Sequence, residues 1–249
     1  MKIKKTASDI LDKAILMRKS FNSAIIVAGG SGLRAGEGIP KQHRRIAGKH
    51  VIARTVDTFE KCAFINEIII VCRAGEEKLY EKYAAKYGWM KVTSIVPGGD
   101  DRFASVIEGF KAISDKSGYV YIHDGARCLV TPDIIQAVGH QACISGAAVA
   151  ACRPVDSCKT ERDGGLKNLD REKTWLVQTP QVFKTELYRA AAYTALKDRI
   201  AVTDDASVAE HAGFKVVPVD CGRENIKITS PLDFVLAEAI IAEREKSNV

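Results

Sequence analysis

The sequence predicts an α/β protein whose mostly parallel sheet carries helices on both faces. Short apolar runs such as 24–27 and 67–72 have the length and composition of fully buried strands. Segments with helical spacing separate these runs, and buried strands joined by crossover helices form parallel sheets that are covered on both sides. Ligands of such sheets bind beyond the carboxyl ends of the strands, so the residues that follow each strand are the candidate functional residues.

The predicted elements alternate along most of the chain. The strands are expected at 24–27, 67–72, 91–96, 119–123, 146–152 and 215–219. The helices are expected at 50–62, 76–87, 102–113, 131–143, 185–197, 204–212 and 231–245. Pro231 suits the first position of the last helix, because proline has a helical φ and its missing N–H is not needed there.

A polar segment at about 154–180 interrupts this alternation. It contains two short runs, 156–161 and 166–170, on either side of a Gly164-Gly165 turn, which predicts a hairpin. A hairpin of this size is too small to bury a core of its own, so we expect it to project as an arm or to pair with another subunit.

Residues 1–22 are predicted to form an N-terminal helical extension. The apolar residues at helical spacing are Ile10, Ala14, Met17 and Phe21. The segment lacks the uninterrupted apolar core and cleavage site of a signal peptide. Because the remaining chain shows no internal repeat and no low-complexity linker, residues 23–246 are predicted to form a single domain that carries the arm.

Charge and cysteine content exclude several classes of protein. Of the net charge of +6, residues 1–22 contribute +4, with six basic residues against two acidic ones. The rest is nearly neutral, so a broad nucleic-acid surface is not expected. No apolar run approaches the roughly 20 residues that span a bilayer. The seven cysteines form no CxxC pair, which favours reduced thiols in a cytoplasmic protein.

Polar loops follow three of the predicted strands, at 28–42, 97–102 and 123–127. The first is rich in glycine, whose lack of a Cβ lets backbone N–H groups approach an anion closely. The charged residues of the three loops include Arg34, Lys41, Asp100, Arg102, Asp124 and Arg127. Such a set at one sheet edge suits a nucleotide with a bound metal ion.

Sequence motifs disfavour two classes of nucleotide-binding protein. The chain has no G-x-x-x-x-G-K-[ST] motif, which disfavours a P-loop NTPase. Residues 30–35 satisfy the relaxed dinucleotide fingerprint, but Gly36, Gly38 and Pro40 prevent the helix that must begin inside it. The strand at 67–72 is followed by Arg73 instead of an acidic residue that holds a ribose. An NADP-dependent dehydrogenase is therefore the weaker alternative.

Six sequence blocks carry most of the distinctive residues, and they are AGGSGLRAGEGIPKQ, GGDDRFAS, HDGAR, DR with TPQ, TDDAS and ENIKIT. In residues and in order, they resemble the blocks of the 2-C-methyl-D-erythritol 4-phosphate cytidylyltransferase family, which acts in the non-mevalonate pathway of isoprenoid biosynthesis. They cover roughly residues 23–242. Ribitol 5-phosphate cytidylyltransferases share most of these blocks and stay open as an alternative.

The resemblance implies a Rossmann-like nucleotidyltransferase fold, a homodimer formed through the arm, and transfer of a cytidylyl group from CTP to a polyol phosphate. Positions that match the CTP site are Ala28, Gly29, Gly30, Gly99, Asp100, Ser105, Asp124 and Gly125. Positions that match the polyol phosphate site are Arg127, Ser157, Arg171 and Thr179. Arg34 and Lys41 match the two basic residues that hold the triphosphate, and Lys227 matches a position around the polyol phosphate. We expect these three cations to be catalytic, and Asp124 to be the carboxylate for Mg²⁺.

Some positions depart from the family pattern or have a simpler explanation. Cys128 stands where the family usually has proline, and Ser157 lies in an arm motif that is one residue shorter than usual, with serine in place of threonine. Asp124 and Arg127 would also fit a pair that caps the next helix. His123 is expected to be a packed residue at the end of a strand and not a catalyst.

Overall fold

A seven-stranded sheet forms the centre of the protein, in a computed structural model that describes residues 20–30 and 38–247. The strands are β1 (Phe21–Val27), β2 (Arg45–Ile46), β3 (Lys49–His50), β4 (Glu67–Cys72), β5 (Val92–Pro97), β6 (Ser117–Asp124), β7 (Ala147–Cys152), β8 (Lys159–Arg162), β9 (Gly165–Asn168), β10 (Leu176–Lys184) and β11 (Val217–Asp220). The order across the central sheet is β11-β7-β10-β6-β1-β4-β5.

Helices cover both faces of this sheet. Within the described residues they are α1 (Val51–Lys61), α2 (Glu77–Tyr87), α3 (Arg102–Lys111), α4 (Pro132–Ser145), α5 (Thr185–Asp198), α6 (Asp205–His211) and α7 (Pro231–Ser247). Alternate side chains of a strand point to opposite faces, so Ile68 joins the apolar cluster under α1, α2 and α4, while Ile69 joins the cluster under α3, α5 and α6.

Four neighbouring strands confirm the predicted parallel sheet. β1 pairs in parallel with β4 on one side and β6 on the other, and β5 pairs in parallel with β4. Every residue of β4 is buried, as expected for a strand with helices on both faces. The carboxyl ends of these four strands therefore meet at one edge of the sheet.

The central strand β10 was absent from the sequence prediction, which placed its first half in the polar arm. β10 is antiparallel to both of its neighbours, β6 and β7. Its polar side chains at Gln178, Thr179 and Gln181 are buried and hydrogen-bonded, as in the bond from Gln181 Nε2 to Asp204 Oδ2 at 2.9 Å. Pro180 lies where the register with β7 shifts, which is where a sheet tolerates proline.

The predicted hairpin is present, with strand limits that differ by a few residues. β8 pairs with β9 in antiparallel orientation, and all eight residues are exposed. The two residues between the strands are Asp163 and Gly164, and both have positive φ. That is the geometry of a two-residue turn that matches the twist of a hairpin.

The N-terminal extension was predicted to be helical as far as residue 22, and this limit was wrong. Phe21 and Asn22 belong to β1. Asn22 is held there because its Nδ2 donates to the Phe64 carbonyl at 2.8 Å and its N–H donates to Asn66 Oδ1 at 2.8 Å. The rest of the predicted extension, residues 1–19, lies outside the described residues.

The remaining expectations concern cysteine and membranes. The structure describes all seven cysteines as free thiols, of which Cys62, Cys72, Cys128 and Cys152 are buried and the other three are half-buried. No helix within 20–30 or 38–247 is long and apolar enough to cross a membrane.

Gly109 sets the distance between α3 and the sheet. A Cβ at this position would lie 2.6 Å from Ile25 Cγ2 and 2.7 Å from Val71 Cγ2. Without that clash, Gly→Ala within a helix would stabilise the protein by about 1 kcal/mol. We expect Gly109→Ala instead to lower the free energy of unfolding by about 1–3 kcal/mol, since overpacking displaces the helix. Urea unfolding followed by circular dichroism measures this.

The control is Gly165→Ala, because a Cβ there would meet only the Arg162 carbonyl oxygen, at 3.9 Å. This variant should change the free energy of unfolding by less than about 0.5 kcal/mol, as is usual for surface positions. A Gly109→Ala protein as stable as the wild type would contradict the packing argument.

Candidate active site

A cavity of about 620 Å³ lies at the carboxyl ends of β1, β4, β5 and β6. This is the edge at which the sequence placed the three polar loops. The predicted site residues that border it are Ala28, Gly29, Gly30, Lys41, Gly99, Asp100, Ser105, Asp124 and Lys227. The loops are thus brought together as expected from the parallel sheet.

The glycines at this edge serve two different purposes. Gly99 is needed for packing, because a Cβ there would lie 2.5 Å from Ala104 Cβ at the start of α3. Gly30 has no described atom within 4 Å of its Cβ position and borders the cavity. A ligand can therefore approach its backbone closely.

Asp124 lies at the centre of a cluster of cations. Its carboxylate contacts Lys227 Nζ at 2.7 Å, Arg102 Nε at 3.2 Å and Arg127 Nε at 3.7 Å. Burial alone would raise the pKa of Asp124, but Arg102 and Lys227 outweigh it and hold this pKa well below its ordinary value. The carboxylate is therefore ionised at neutral pH.

Arg102 connects this cluster to a second buried carboxylate. Its Nη1 contacts Asp205 Oδ2 at 2.8 Å, and the Tyr188 hydroxyl donates to Asp205 Oδ1 at 2.8 Å. Burial raises the pKa of Asp205, although Arg102 opposes this. Arg102 keeps its charge and holds the start of α3 against that of α6.

His123 is a packed residue, as predicted. The ring is fully buried, and burial lowers its pKa to about 3, so it is neutral. His123 Nε2 lies 3.2 Å from the Arg127 carbonyl, which can only accept, so Nε2 carries the proton of the neutral ring. Nδ1 therefore accepts a bond from the Thr179 hydroxyl at 3.1 Å, and this hydroxyl accepts one from the Asp124 N–H at 3.0 Å. These bonds fix the backbone that presents Asp124.

Asn225 joins the Asp124 loop to the segment that carries Lys227. Its carbonyl accepts a bond from Arg127 Nη1 at 2.9 Å, and its Nδ2 donates to the Thr179 carbonyl at 2.8 Å. The Ile228 N–H donates to the Ala126 carbonyl at 2.9 Å. Lys227 is thus placed by backbone bonds as well as by its ion pair.

Lys41 begins a 3-10 turn, Lys41–His43, that borders the cavity. The turn is joined to the glycine loop by Gln42, whose Nε2 donates to the Gly30 carbonyl at 3.3 Å. The other predicted cation of this loop, Arg34, lies outside the described residues.

The remaining predicted residues do not border the cavity. Gly125 packs beneath it, since a Cβ there would lie 2.8 Å from Ile52 Cδ1. Arg127 is mostly buried behind Asp124, and the Thr179 hydroxyl bonds within the Asp124 loop. Ser157 and Arg171 lie on the exposed segment between β7 and β10.

The interpretation of Asp124 and Arg127 as caps of the next helix was wrong. Thr131 caps α4, because its side chain accepts a hydrogen bond from the Ile134 N–H. Asp124 and Arg127 close a turn of their own, in which the Arg127 N–H donates to the Asp124 carbonyl at 2.9 Å.

Several residues that border the cavity were not among the predicted site residues, and three of them are polar residues outside the loops at 97–102 and 123–127. Arg73 follows β4, and the strand-end rule alone would have identified it. Gln42 follows Lys41, but its position facing Gly30 depends on the turn. Thr229 also borders the cavity, and its hydroxyl donates to Asp233 Oδ2 at 2.8 Å at the start of α7.

The side chains of the site can supply only some of the ligands of a metal ion. The described residues contain no group of three His, Cys, Asp or Glu side chains that could hold an ion. Asp124 supplies one ionised carboxylate at the cavity wall. Magnesium is commonly held by one or two carboxylates together with substrate phosphates, and Asp124 fits that arrangement.

Comparison with known proteins identifies the family of this site. Residues 23–243 match the family described as 2-C-methyl-D-erythritol 4-phosphate cytidylyltransferase. The chain belongs to this cytidylyltransferase family. The matched span includes every described residue that borders the cavity and ends within α7.

Named relatives agree with the family assignment. The chain is 40% identical over 231 residues to the 2-C-methyl-D-erythritol 4-phosphate cytidylyltransferase of Alkaliphilus oremlandii. This alignment covers 91% of the chain and 98% of that protein. It is also 40% identical to the "Bifunctional enzyme IspD/IspF" of Desulforudis audaxviator; that match covers 88% of the chain and only 56% of that protein. The crystal structure of 4-diphosphocytidyl-2C-methyl-D-erythritol synthase from Anaerococcus prevotii aligns with a TM-score of 0.80 at 30% identity, covering 90% and 99% of the two chains.

The cation cluster of this cytidylyltransferase should depend on the charge of Asp124. We expect Asp124→Asn to lower the free energy of unfolding by about 3 kcal/mol at neutral pH, because it removes the carboxylate that three cations share, among them the mostly buried Arg127. The pKa of Asp124 is lower in the folded than in the unfolded chain. The stability difference should therefore be fully present above the unfolded-state pKa of about 4 and should shrink as the pH falls from there towards the lower folded-state pKa. Urea unfolding at several pH values measures it.

Asp163→Asn is the matched control, because Asp163 pairs with Lys167 on the exposed hairpin and its side chain is 83% exposed. It should change stability by less than about 0.5 kcal/mol at every pH. Equal effects of the two substitutions would disprove a special role for the buried cluster.

Proposed function

We propose that the protein transfers a cytidylyl group from CTP to 2-C-methyl-D-erythritol 4-phosphate. The products are 4-diphosphocytidyl-2-C-methyl-D-erythritol and pyrophosphate. The observation that supports this most directly is the cavity at the strand ends, where the open backbone of Gly30 and the cations Lys41 and Lys227 face the same space. Family membership supplies the identity of donor and acceptor.

In the proposed reaction, a phosphate oxygen of the acceptor attacks the α-phosphorus of CTP and pyrophosphate leaves. The attacking oxygen is already an anion at neutral pH, so the reaction needs no general base. The barrier comes from bringing two polyanions together and from the charge of the in-line transition state. Fixed cations and correct positioning lower this barrier.

We assign the cations by their places around the cavity. Lys41 and Arg34 act on the α-phosphate and the departing pyrophosphate, and Lys227 acts on the region shared by the two substrates. Asp124 keeps Lys227 oriented through the 2.7 Å ion pair, while the Lys227 side chain remains 37% exposed towards the cavity. The charge is therefore in place before the substrates bind, which avoids reorganisation during the reaction.

Recognition of the cytosine is assigned to the edge formed by Gly99 and Ser105. Ser105 is buried, and its hydroxyl donates to the Asp101 carbonyl at 2.8 Å. Asp101 in turn caps α3, because its Oδ1 accepts from the Ala104 N–H at 2.7 Å. The loop that would face the base is thus held by the helix that follows it.

Mg²⁺ is proposed as the metal of the reaction. It would be held chiefly by the triphosphate, with Asp124 as the protein carboxylate. When bound, it neutralises part of the negative charge of the phosphates. Lys41 and Lys227 contribute to neutralising the remainder.

The acceptor site is proposed to be completed by a second subunit. Ser157 and Arg171 do not border the cavity of their own chain, and both lie on the segment that carries the exposed hairpin. In a homodimer, this arm would place them at the partner's cavity, with Arg127 behind Asp124 on the receiving side. We place the reaction in the cytoplasm, in agreement with the seven free thiols.

The alternatives have less support. Relatives of similar length carry the name of the methylerythritol phosphate enzyme, which favours that acceptor over ribitol 5-phosphate. A dehydrogenase is disfavoured by the family assignment and by Arg73, a basic residue at the end of β4.

Lys41→Ala tests the proposed chemistry. We expect the wild type with Mg²⁺ to release pyrophosphate from CTP and 2-C-methyl-D-erythritol 4-phosphate, and the variant to lose about 10²–10³-fold in kcat, because a fixed cation at the transition state is missing. A coupled pyrophosphate assay measures both.

The identity of the acceptor is tested by comparing the kcat/KM of the wild type for 2-C-methyl-D-erythritol 4-phosphate with its kcat/KM for ribitol 5-phosphate. A variant that retains wild-type kcat would refute the mechanism, and a higher kcat/KM for ribitol 5-phosphate would refute the acceptor.

Subunit complementation tests the arm. In a heterodimer of Lys41→Ala and Arg171→Ala chains, purified through two different tags, one of the two sites combines an intact Lys41 with the intact Arg171 of the other chain. We expect about half of the wild-type activity, since the dimer is isologous and has two equivalent sites. The control heterodimer, of Lys41→Ala and Lys227→Ala chains, damages both sites and should stay inactive. Equal inactivity of the two heterodimers would show that each arm serves its own chain.

A further inference from the structure

His43 ends the 3-10 turn that begins with Lys41, and its ring points away from the cavity. The His43 N–H donates to the Pro40 carbonyl at 2.9 Å, and the Arg44 N–H donates to the Lys41 carbonyl at 3.2 Å. The turn is only three residues long, so an anchor at one end determines where the other end lies. The side chain of His43 is 7% exposed and provides that anchor.

Both nitrogens of the His43 ring have polar partners on the α2 side. Nε2 lies 3.4 Å from Glu76 Oε2, and Nδ1 lies 3.4 Å from the Tyr83 hydroxyl. The ring also packs edge-on against Tyr80, with centroids 5.5 Å apart, and against Tyr83 at 5.8 Å. Tyr80 is fully buried, so these contacts tie the turn to the core.

We propose that His43 is a positioning residue that holds Lys41 at the cavity. Gln42 fixes the middle of the turn to the Gly30 carbonyl, and His43 fixes its end to α2. Together they leave the Lys41 backbone little freedom to move. Little entropy is therefore lost in positioning the Lys41 charge when the nucleotide binds. This inference rests on the proposed function of Lys41, and it assigns to His43 no contact with substrate.

The chain contains a matched control in the same aromatic cluster. His50 contacts the Tyr83 ring at 4.7 Å and its Nδ1 lies 2.6 Å from the Tyr87 hydroxyl. It begins no turn at the cavity, because it lies at the end of β3. Removal of either ring disturbs the packing on α2, but only His43 is joined to Lys41.

The experiment compares His43→Ala and His50→Ala in the pyrophosphate assay. We expect His43→Ala to lower kcat by about tenfold or more, the scale of a misplaced catalytic group. His50→Ala should keep kcat within about twofold, and KM for the acceptor should stay unchanged in both. His43→Gln keeps a donor towards Glu76 and should recover part of the lost kcat. If His43→Ala does not fold, His43→Phe serves as the second variant, because it keeps an aromatic ring at this position and loses both polar contacts. This variant should lower kcat by at least about threefold.

A double-mutant cycle separates positioning from general structure. If His43 acts through Lys41, adding His43→Ala to Lys41→Ala should lower kcat by less than about twofold. Equal effects of His43→Ala in the presence and absence of Lys41 would overturn the inference, and so would equal kcat losses in the His43 and His50 variants. A wild-type protein that releases no pyrophosphate would refute the proposed function itself, a result distinct from both.

Discussion

The carboxylate of Asp124 is the group on which the rest of the site depends. It contacts cations from three separate parts of the chain, Arg102 at the start of α3, Arg127 in its own loop, and Lys227 before α7. Removing a carboxylate from water costs several kcal/mol unless its partners replace the lost hydration. Three cations and a low pKa show that they do so here. The ends of β5 and β6 and the segment before α7 are therefore joined by one charge cluster.

Lys41 and Lys227, the two described lysines that border the cavity, are held by different physical means. Lys227 is held by charge, through its ion pair with Asp124, and by the backbone bond of its neighbour Ile228. Lys41 begins a short turn that is anchored by the side chains of Gln42 and His43. A change of charge at Asp124 therefore acts on Lys227 directly, whereas the position of Lys41 depends on packing against α2.

Most of the fold, and most of the predicted residues that border the cavity, followed from local sequence signals. The strand at Glu67–Cys72 was predicted with its observed limits, because an uninterrupted apolar run can only be buried on both faces. β10 was missed because its polar residues suggest an exposed segment, and their partners, the half-buried Asp204 and the buried Asn225, come from distant parts of the chain. The anchor of His43 on Glu76 was missed for the same reason. Periodicity reports which face of an element is apolar, and it does not report which polar groups meet in the fold.

The missed strand also explains how the arm is connected to the site. The segment that carries the hairpin leaves the sheet after β7 and returns in β10, and its two ends are held together by Arg153, whose guanidinium lies 3.5 Å above the Trp175 ring. Three residues further on, Gln178 accepts a bond from Asn225 Nδ2, and the adjacent Thr179 binds the Asp124 N–H. Few residues therefore separate the base of the arm from the charge cluster. The base of the segment that carries the hairpin therefore belongs to the same hydrogen-bonded network as Asp124, so a displacement of this base would be transmitted to the loop that presents the carboxylate.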